Sequence, residues 1–189
     1  MKLEEILSTL QKLLDVPVMT RECPDDVALV HILEVVRWSP SAANLQPWEI
    51  IVARDVETKE KIVQVTWDSL MRNDPNGRAF WLREAPVVIV LCTDVKRVRA
   101  RFGSERGLLI AIGDVGGFLL AFRIAAIHEG WTTGIVREFD PEGLRKALGI
   151  PRFIEPMALV AIGRREASER QVVDKPTMEV SDFFHNEKW

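Results

Sequence analysis

A chain of 189 residues, 47% hydrophobic and 28% charged, is large enough to bury one substantial core and polar enough to stay dissolved. Its net charge of -3 lacks the basic excess that a general nucleic-acid binder carries. Two cysteines far apart, Cys23 and Cys92, make no disulfide framework, and Cys92 sits in the apolar run APVVIVLCTD as a buried thiol.

Leu3, Ile6, Leu7, Leu10, Leu13 and Leu14 recur at helical spacing, so an amphipathic helix is expected first, stopped by Asp15-Val16-Pro17. This segment has no signal-peptide pattern. No apolar run is read as reaching the roughly 20 residues that span a bilayer, and a cytoplasmic protein without membrane partners is expected. Pro24-Asp25-Asp26 starts a second helix, with Val27, Val30, Ile32, Leu33, Val35 and Val36 on a broad apolar face. It ends near Ser39-Pro40. Trp48 to Ala53 alternates and is β-branched, which predicts a strand. Val56 to Met71 predicts a helix, and Asn73-Asp74-Pro75-Asn76-Gly77 a turn. Gly77 to Glu84 is ambiguous and admits a short helix. Pro86 to Thr93 is almost purely apolar, as in a strand covered on both faces.

Leu108 to Glu129 predicts a long apolar helix whose Gly113, Gly116 and Gly117 permit close helix packing. Trp131 to Phe139 is a connection or a short strand. Asp140-Pro141 has the chemistry of an N-cap followed by proline, and Gly149 closes the helix that follows. Ala158 to Gly163 is a third buried strand. Strands and helices alternate without a regular rhythm, so the class is α+β, a small sheet between helices. One domain over residues 1–189 is expected, with 164–189 a polar extension that packs on a partner subunit.

The familiar protein-borne chemistries are absent. There is no HExxH, CxxC, GxSxG, Walker A or GxGxxG sequence, and the three histidines are scattered, so no metal site is expected. GSERG, residues 103–107, lacks the spacing and the lysine of a phosphate loop. With no nucleophile beside a base, a cofactor is expected to carry the chemistry, and no catalytic side chain is assigned.

The stretch SPSAANLQPWEIIVARD, Ser39 to Asp55, is unlike an ordinary connection: it sets an indole beside side-chain amides and prolines. It resembles the signature of the FMN-dependent nitroreductase family, a Pro-Ser-x-x-Asn-x-Gln-Pro-Trp block after a helix. APVVIVLCTD looks like that family's central strand, and DVGGFLLAFRIAAIHEGW like its long central helix. GIVREFDPEGLRKALGIPRFIEPMALVAIG is similar to its flavin-side loop, short helix and last core strand, and VDKPTMEVSDFFHNEKW to its C-terminal extension. The resemblance covers most of the chain. It implies a three-layer α/β/α sandwich with a mostly antiparallel sheet, and a homodimer that exchanges its C-terminal extensions. It implies bound FMN reduced by NAD(P)H, and ping-pong transfer to a nitroaromatic, quinone or similar electron-poor acceptor.

Residue by residue, the resemblance places Pro40, Ser41 and Ala42 against the ribityl chain and ring edge, with the Asn44 amide on the ring's pyrimidine side or in the local turn, and Gln46 and Trp48 bracing the loop and the dimer interface. It places Ile135, Val136 and Arg137 beside the ring, where Arg137 either stabilises the reduced flavin or attracts an anionic substrate, or is a solvated loop arginine. Arg78 falls near a polar flavin contact and Trp81 near the substrate side; a surface-plus-core reading of both stays open. Phe183, Phe184 and Trp189 are dimer anchors or intrachain packing.

At the phosphate end this sequence departs from the family. Relatives carry Arg-Ser-x-Arg where this chain reads KLLDV, and only Lys12 keeps a charge. The fork of an arginine suits a phosphate, which a lysine meets as a point charge. Arg21 is a possible substitute. Lys175 stands in the place of a basic Arg-Lys-Pro element, behind a repelling Asp174, and a Gln-Asn pair is replaced around Leu120-Ala121. The alternative reading is therefore a non-catalytic or altered-ligand binding protein on the same scaffold.

Overall fold

The computed structural model describes residues 2–13, 19–67, 81–165 and 176–188. Arg78, Lys175 and Trp189 lie outside the described residues, as do the Asn73–Gly77 turn and the end of the helix expected to reach Met71.

The chain runs α1 (Leu3–Gln11), α2 (Asp26–Val36), β1 (Trp48–Ala53), α3 (Val56–Gln64), α4 (Trp81–Glu84), β2 (Val87–Asp94), α5 (Val95–Phe102), α6 (Ser104–His128), β3 (Thr132–Val136), α7 (Pro141–Leu148) and β4 (Ile154–Gly163). The expected caps form. The Asp25 carboxylate accepts from the Ala28 N–H and that of Asp140 from the Glu142 N–H; Gly149 ends α7 at φ 68°. Two sequence expectations are corrected. The first helix ends at Gln11 and buries no residue, since Leu3, Leu7 and Leu10 face outward. And α5, unrecognised in the sequence, follows β2 directly: its apolar Val95, Val98 and Phe102 keep helical spacing between cations, and Asp94 caps it.

The sheet order is β1-β2-β4-β3, every pair antiparallel. The residues 131–139, read as a connection or short strand, thus supply the edge strand β3. Strand period two splits β2 between two cores. Val87, Ile89 and Leu91 pack with Leu29, Ile32, Val36, Val115, Phe118 and Phe122 under α2 and α6. Val88, Val90 and Cys92 pack with Ile62, Val63, Leu82 and Leu144 under α3, α4 and α7. This is the three-layer α/β/α sandwich. Burial pushes the Cys92 thiol up to about 12, with Arg145 opposing, so it is inert as a nucleophile. A bulge between Leu91 and Cys92 leaves Met157 unmatched on β4 and turns the rest of that strand over.

The layer made by α6 is only half covered. Among the described residues α6 is long and apolar enough to cross a membrane, contrary to the expectation of no such run. One face, Ala111, Val115, Phe118, Leu119, Phe122 and Ala126, lies buried on the sheet. The opposite face, Leu109, Ile112, Gly113, Gly116, Gly117 and Leu120, is exposed. A Cβ added at any of those glycines meets nothing within 4 Å, so the close packing expected of them is not made among the described residues. Residues 176–188 are exposed throughout, Phe183 and Phe184 included, so the intrachain packing left open for them is not observed.

Candidate active site

The loop between α2 and β1 is held from three sides. Ser39 Oγ donates to Val36 O at 2.7 Å and closes the end of α2. Residues 42–44 then form one 3₁₀ turn, with the Asn44 N–H donating to Ser41 O at 2.9 Å. Ala43, Asn44 and Gln46 take φ values of 51°, 54° and 48°. Three non-glycine residues in left-handed geometry within four positions cost on the order of 1–3 kcal/mol each, so the surroundings must impose this shape.

They do so through named contacts. The Ala42 N–H donates to both carboxylate oxygens of Asp114 on α6, at 3.2 and 3.1 Å. The Gln46 N–H donates to Ser41 Oγ at 3.0 Å, and the Gln46 amide to Asn44 Oδ1 at 3.2 Å. Arg97 on α5 donates to Gln46 O at 2.6 Å and pairs with Glu49 and Asp94. The Asp94 N–H donates to Pro47 O at 2.7 Å. Trp48 stacks on Phe118, centroids 4.8 Å apart. Gln46 and Trp48 therefore brace the loop. Ser41 Oγ is occupied as an internal acceptor, and Pro40 and Asn44 remain exposed.

Ile135 and Val136 are half-buried on β3, and Arg137 is exposed just beyond it. Among the described residues β3 pairs only with β4, so alternate backbone groups on its outer edge are open. The loop after β3 is pinned: the Trp67 N–H donates to Glu138 O at 3.0 Å and the Asp140 N–H to Val65 O at 2.8 Å. An open edge and an exposed cation beside an apolar strand are groups that suit a flat ring with a polar rim. Trp81 begins α4, packed against the second core.

These two parts do not meet within one chain. The 39–48 loop enters β1 at one edge of the sheet and β3 is the other, three inter-strand spacings or roughly 14 Å away.

The phosphate end is sparse. Lys12 is exposed at the C-cap of α1. Arg123, which sequence reasoning passed over, reaches from α6 to this point: Nη2 donates to Leu13 O at 2.9 Å and Nε to Thr133 Oγ1 at 3.0 Å. Arg21 is exposed. The other residues missed were Asp114 and Arg97. Asp114 and Arg123 did leave a signal, as isolated charges inside an apolar helix.

The nitroreductase family model matches residues 19–164. A protein of Archaeoglobus fulgidus whose name reads NADH dehydrogenase/NAD(P)H nitroreductase is 27% identical over 99% of this chain and 100% of its own. The FMN reductase [NAD(P)H] of Bacillus subtilis is 28% identical over 71% of this chain and 55% of its own. A nitroreductase family protein of Streptococcus pneumoniae has the same fold, with TM-score 0.79 at 18% identity, over 96% of this chain and 99% of its own.

Proposed function

The chain belongs to the nitroreductase family, and from that premise we propose that it is a homodimeric, FMN-dependent NAD(P)H oxidoreductase acting on electron-poor acceptors such as nitroaromatics and quinones. The observation that carries the reading is the 39–48 loop, strained at three positions and locked by Asp114, Arg97 and Phe118. A plain helix-to-strand connection has no need of such strain; a surface preorganised for a ligand does. The relatives named for NAD(P)H and FMN chemistry support the same reading.

The chemistry supplied by bound FMN is hydride acceptance from NAD(P)H and electron delivery to an acceptor that takes the same face in turn. The protein's own part is binding and orientation. Pro40, Ser41, Ala42 and Asn44 offer the turn that meets the ribityl chain and ring edge. Ile135 and Val136 offer open backbone groups and an apolar bed, and Arg137 a positive charge that favours a reduced, anionic ring. Lys12 and Arg123, with Arg78 and Lys175, are the cations for the polar edge and the phosphate.

What one chain leaves undone supports the homodimer. The stripe Leu109, Ile112, Gly113, Gly116, Gly117 and Leu120 recurs at helical spacing with no partner among the described residues, and glycines there let a second helix approach closely. Phe183 and Phe184, 60% and 67% exposed, fit the role of anchors on the other subunit. The separation of the loop from β3 favours a site shared between subunits: the loop of one faces the β3 edge of the other.

The test is an absorbance spectrum of the freshly purified protein across the flavin bands, before and after adding FMN and desalting. Retained bands that bleach with NAD(P)H, and return with a quinone or nitroaromatic, are expected. A protein that retains no FMN overturns this reading and puts the altered-ligand binding protein in its place.

A further inference from the structure

Away from the loop, α5 carries a second feature. A groove of about 490 Å³ runs between α5, the start of α6 and the segment leading into β4, lined by Val95, Lys96, Arg99, Ala100, Arg152 and Phe153, with Ser104 and Glu155 at its ends. That volume falls in the usual range for small-molecule sites, about 300–1,000 Å³.

The charges make the groove unusual. The chain as a whole is acidic, yet Lys96, Arg99 and Arg152 converge here. Among the described residues none of the three forms an ion pair. Arg97, on another side of the same helix, is neutralised by Asp94 and Glu49. The groove's one carboxylate, Glu155, is already held by the buried Arg145. Arg99 Nε donates to Ser104 O at 3.2 Å, which fixes that side chain along the wall. Three cations against one carboxylate that is itself shared with Arg145 leave the groove net positive, and an anion between them relieves their repulsion.

The floor is apolar. Val95 and Ala100 form it with Phe153, whose ring is 47% exposed and carries Lys96 Nζ 5.7 Å from its centroid. An aromatic face beside a cationic cluster matches a ligand with a flat ring and an attached anion. The small volume excludes a nucleic-acid strand, and the apolar side chains between the cations distinguish the groove from a merely solvated basic face.

We propose that this groove is a second binding site, for a nucleoside phosphate: the base lies on Phe153 and the phosphate sits among Lys96, Arg99 and Arg152. This does not rest on the flavin reading, since none of the groove's cations contacts the 39–48 loop, which is held by Arg97 instead.

The test is calorimetric titration of AMP into the full chain, with and without FMN, with adenosine and inorganic phosphate as comparators. AMP is expected to bind, and each comparator to bind about tenfold weaker or less, since each lacks half of the recognition. Arg152→Glu should weaken AMP about tenfold and Arg99→Glu/Arg152→Glu should abolish the heat. Arg101→Glu, on α5 but outside the groove, should stay within about twofold of the parent, which separates local contact from long-range field. An unchanged thermal midpoint and unchanged FMN retention in Arg152→Glu keep folding and the flavin site apart from the result. The proposal is overturned if AMP gives no heat, if adenosine or phosphate binds as tightly as AMP, or if the folded Arg152→Glu protein binds AMP like the parent.

Discussion

The two ends of the candidate flavin site are built by opposite means. At the ring end, the 39–48 loop takes costly backbone geometry and is fixed by α5, α6 and an aromatic stack. At the phosphate end, α1 buries no residue, and among the described residues one lysine and one arginine from another helix stand near its end. The ring end is preorganised and spends folding energy on its shape. The phosphate end relies on charge, which needs little architecture. In this reading the family's arginine pair could be lost with little effect on the ring end, because α1 buries no residue and the loop takes none of its hydrogen bonds from it.

The comparison breaks most completely if the proposed dimer is removed. Gly116→Arg places a large cation on the exposed stripe of α6, where the added Cβ meets nothing within 4 Å among the described residues. The expected outcome is a folded monomer by sedimentation that retains no flavin, because a shared site is halved. A variant that stays dimeric and yellow would disprove both the interface and the shared site.

Asp114→Ala tests the preorganised end alone. It strands the Ala42 N–H and releases one of the loop's three holds, so a loss of about 1–2 kcal/mol in urea unfolding is expected. FMN and riboflavin affinity should fall together, each about tenfold, since the loop meets the part that both share. A drop for FMN alone would contradict the assignment of this loop to the ring end.

Lys12→Ala and Arg123→Leu test the other end and carry the smallest effects. Each removes positive charge near the phosphate, so FMN affinity should fall roughly three- to tenfold while riboflavin affinity stays constant. Arg123→Leu should in addition cost about 1 kcal/mol of stability, because Leu13 O and Thr133 Oγ1 lose a donor. Equal losses for the two flavins would show that Arg123 only ties α1 to the sheet.

Much of this was legible in the chain. The strand Trp48–Ala53 announced itself by alternation, and the helix Pro141–Leu148 by Asp140, Pro141 and Gly149, all local signals. The loop was legible as composition, through Pro-Ser-x-x-Asn-x-Gln-Pro-Trp. What holds it was not. Asp114 lies 72 residues from Ala42, and Arg97 lies 51 from Gln46. No local preference encodes such pairs; they exist only once α6 and α5 are packed. The helix Val95–Phe102 went unread because four cations diluted its apolar spacing.

The sequence by itself determined the elements with strong periodicity or caps, the buried state of Cys92, and the departure from the family at Lys12–Val16. These are properties of neighbouring residues, and hydrophobic period and capping chemistry act over a few positions. Only the tertiary structure decided that β3 is an edge strand opposite the loop, that Arg123 reaches the end of α1, and that Lys96, Arg99 and Arg152 share one groove. Each of those is a meeting of residues distant in the chain, and it is fixed when burial of apolar surface brings helices and sheet together.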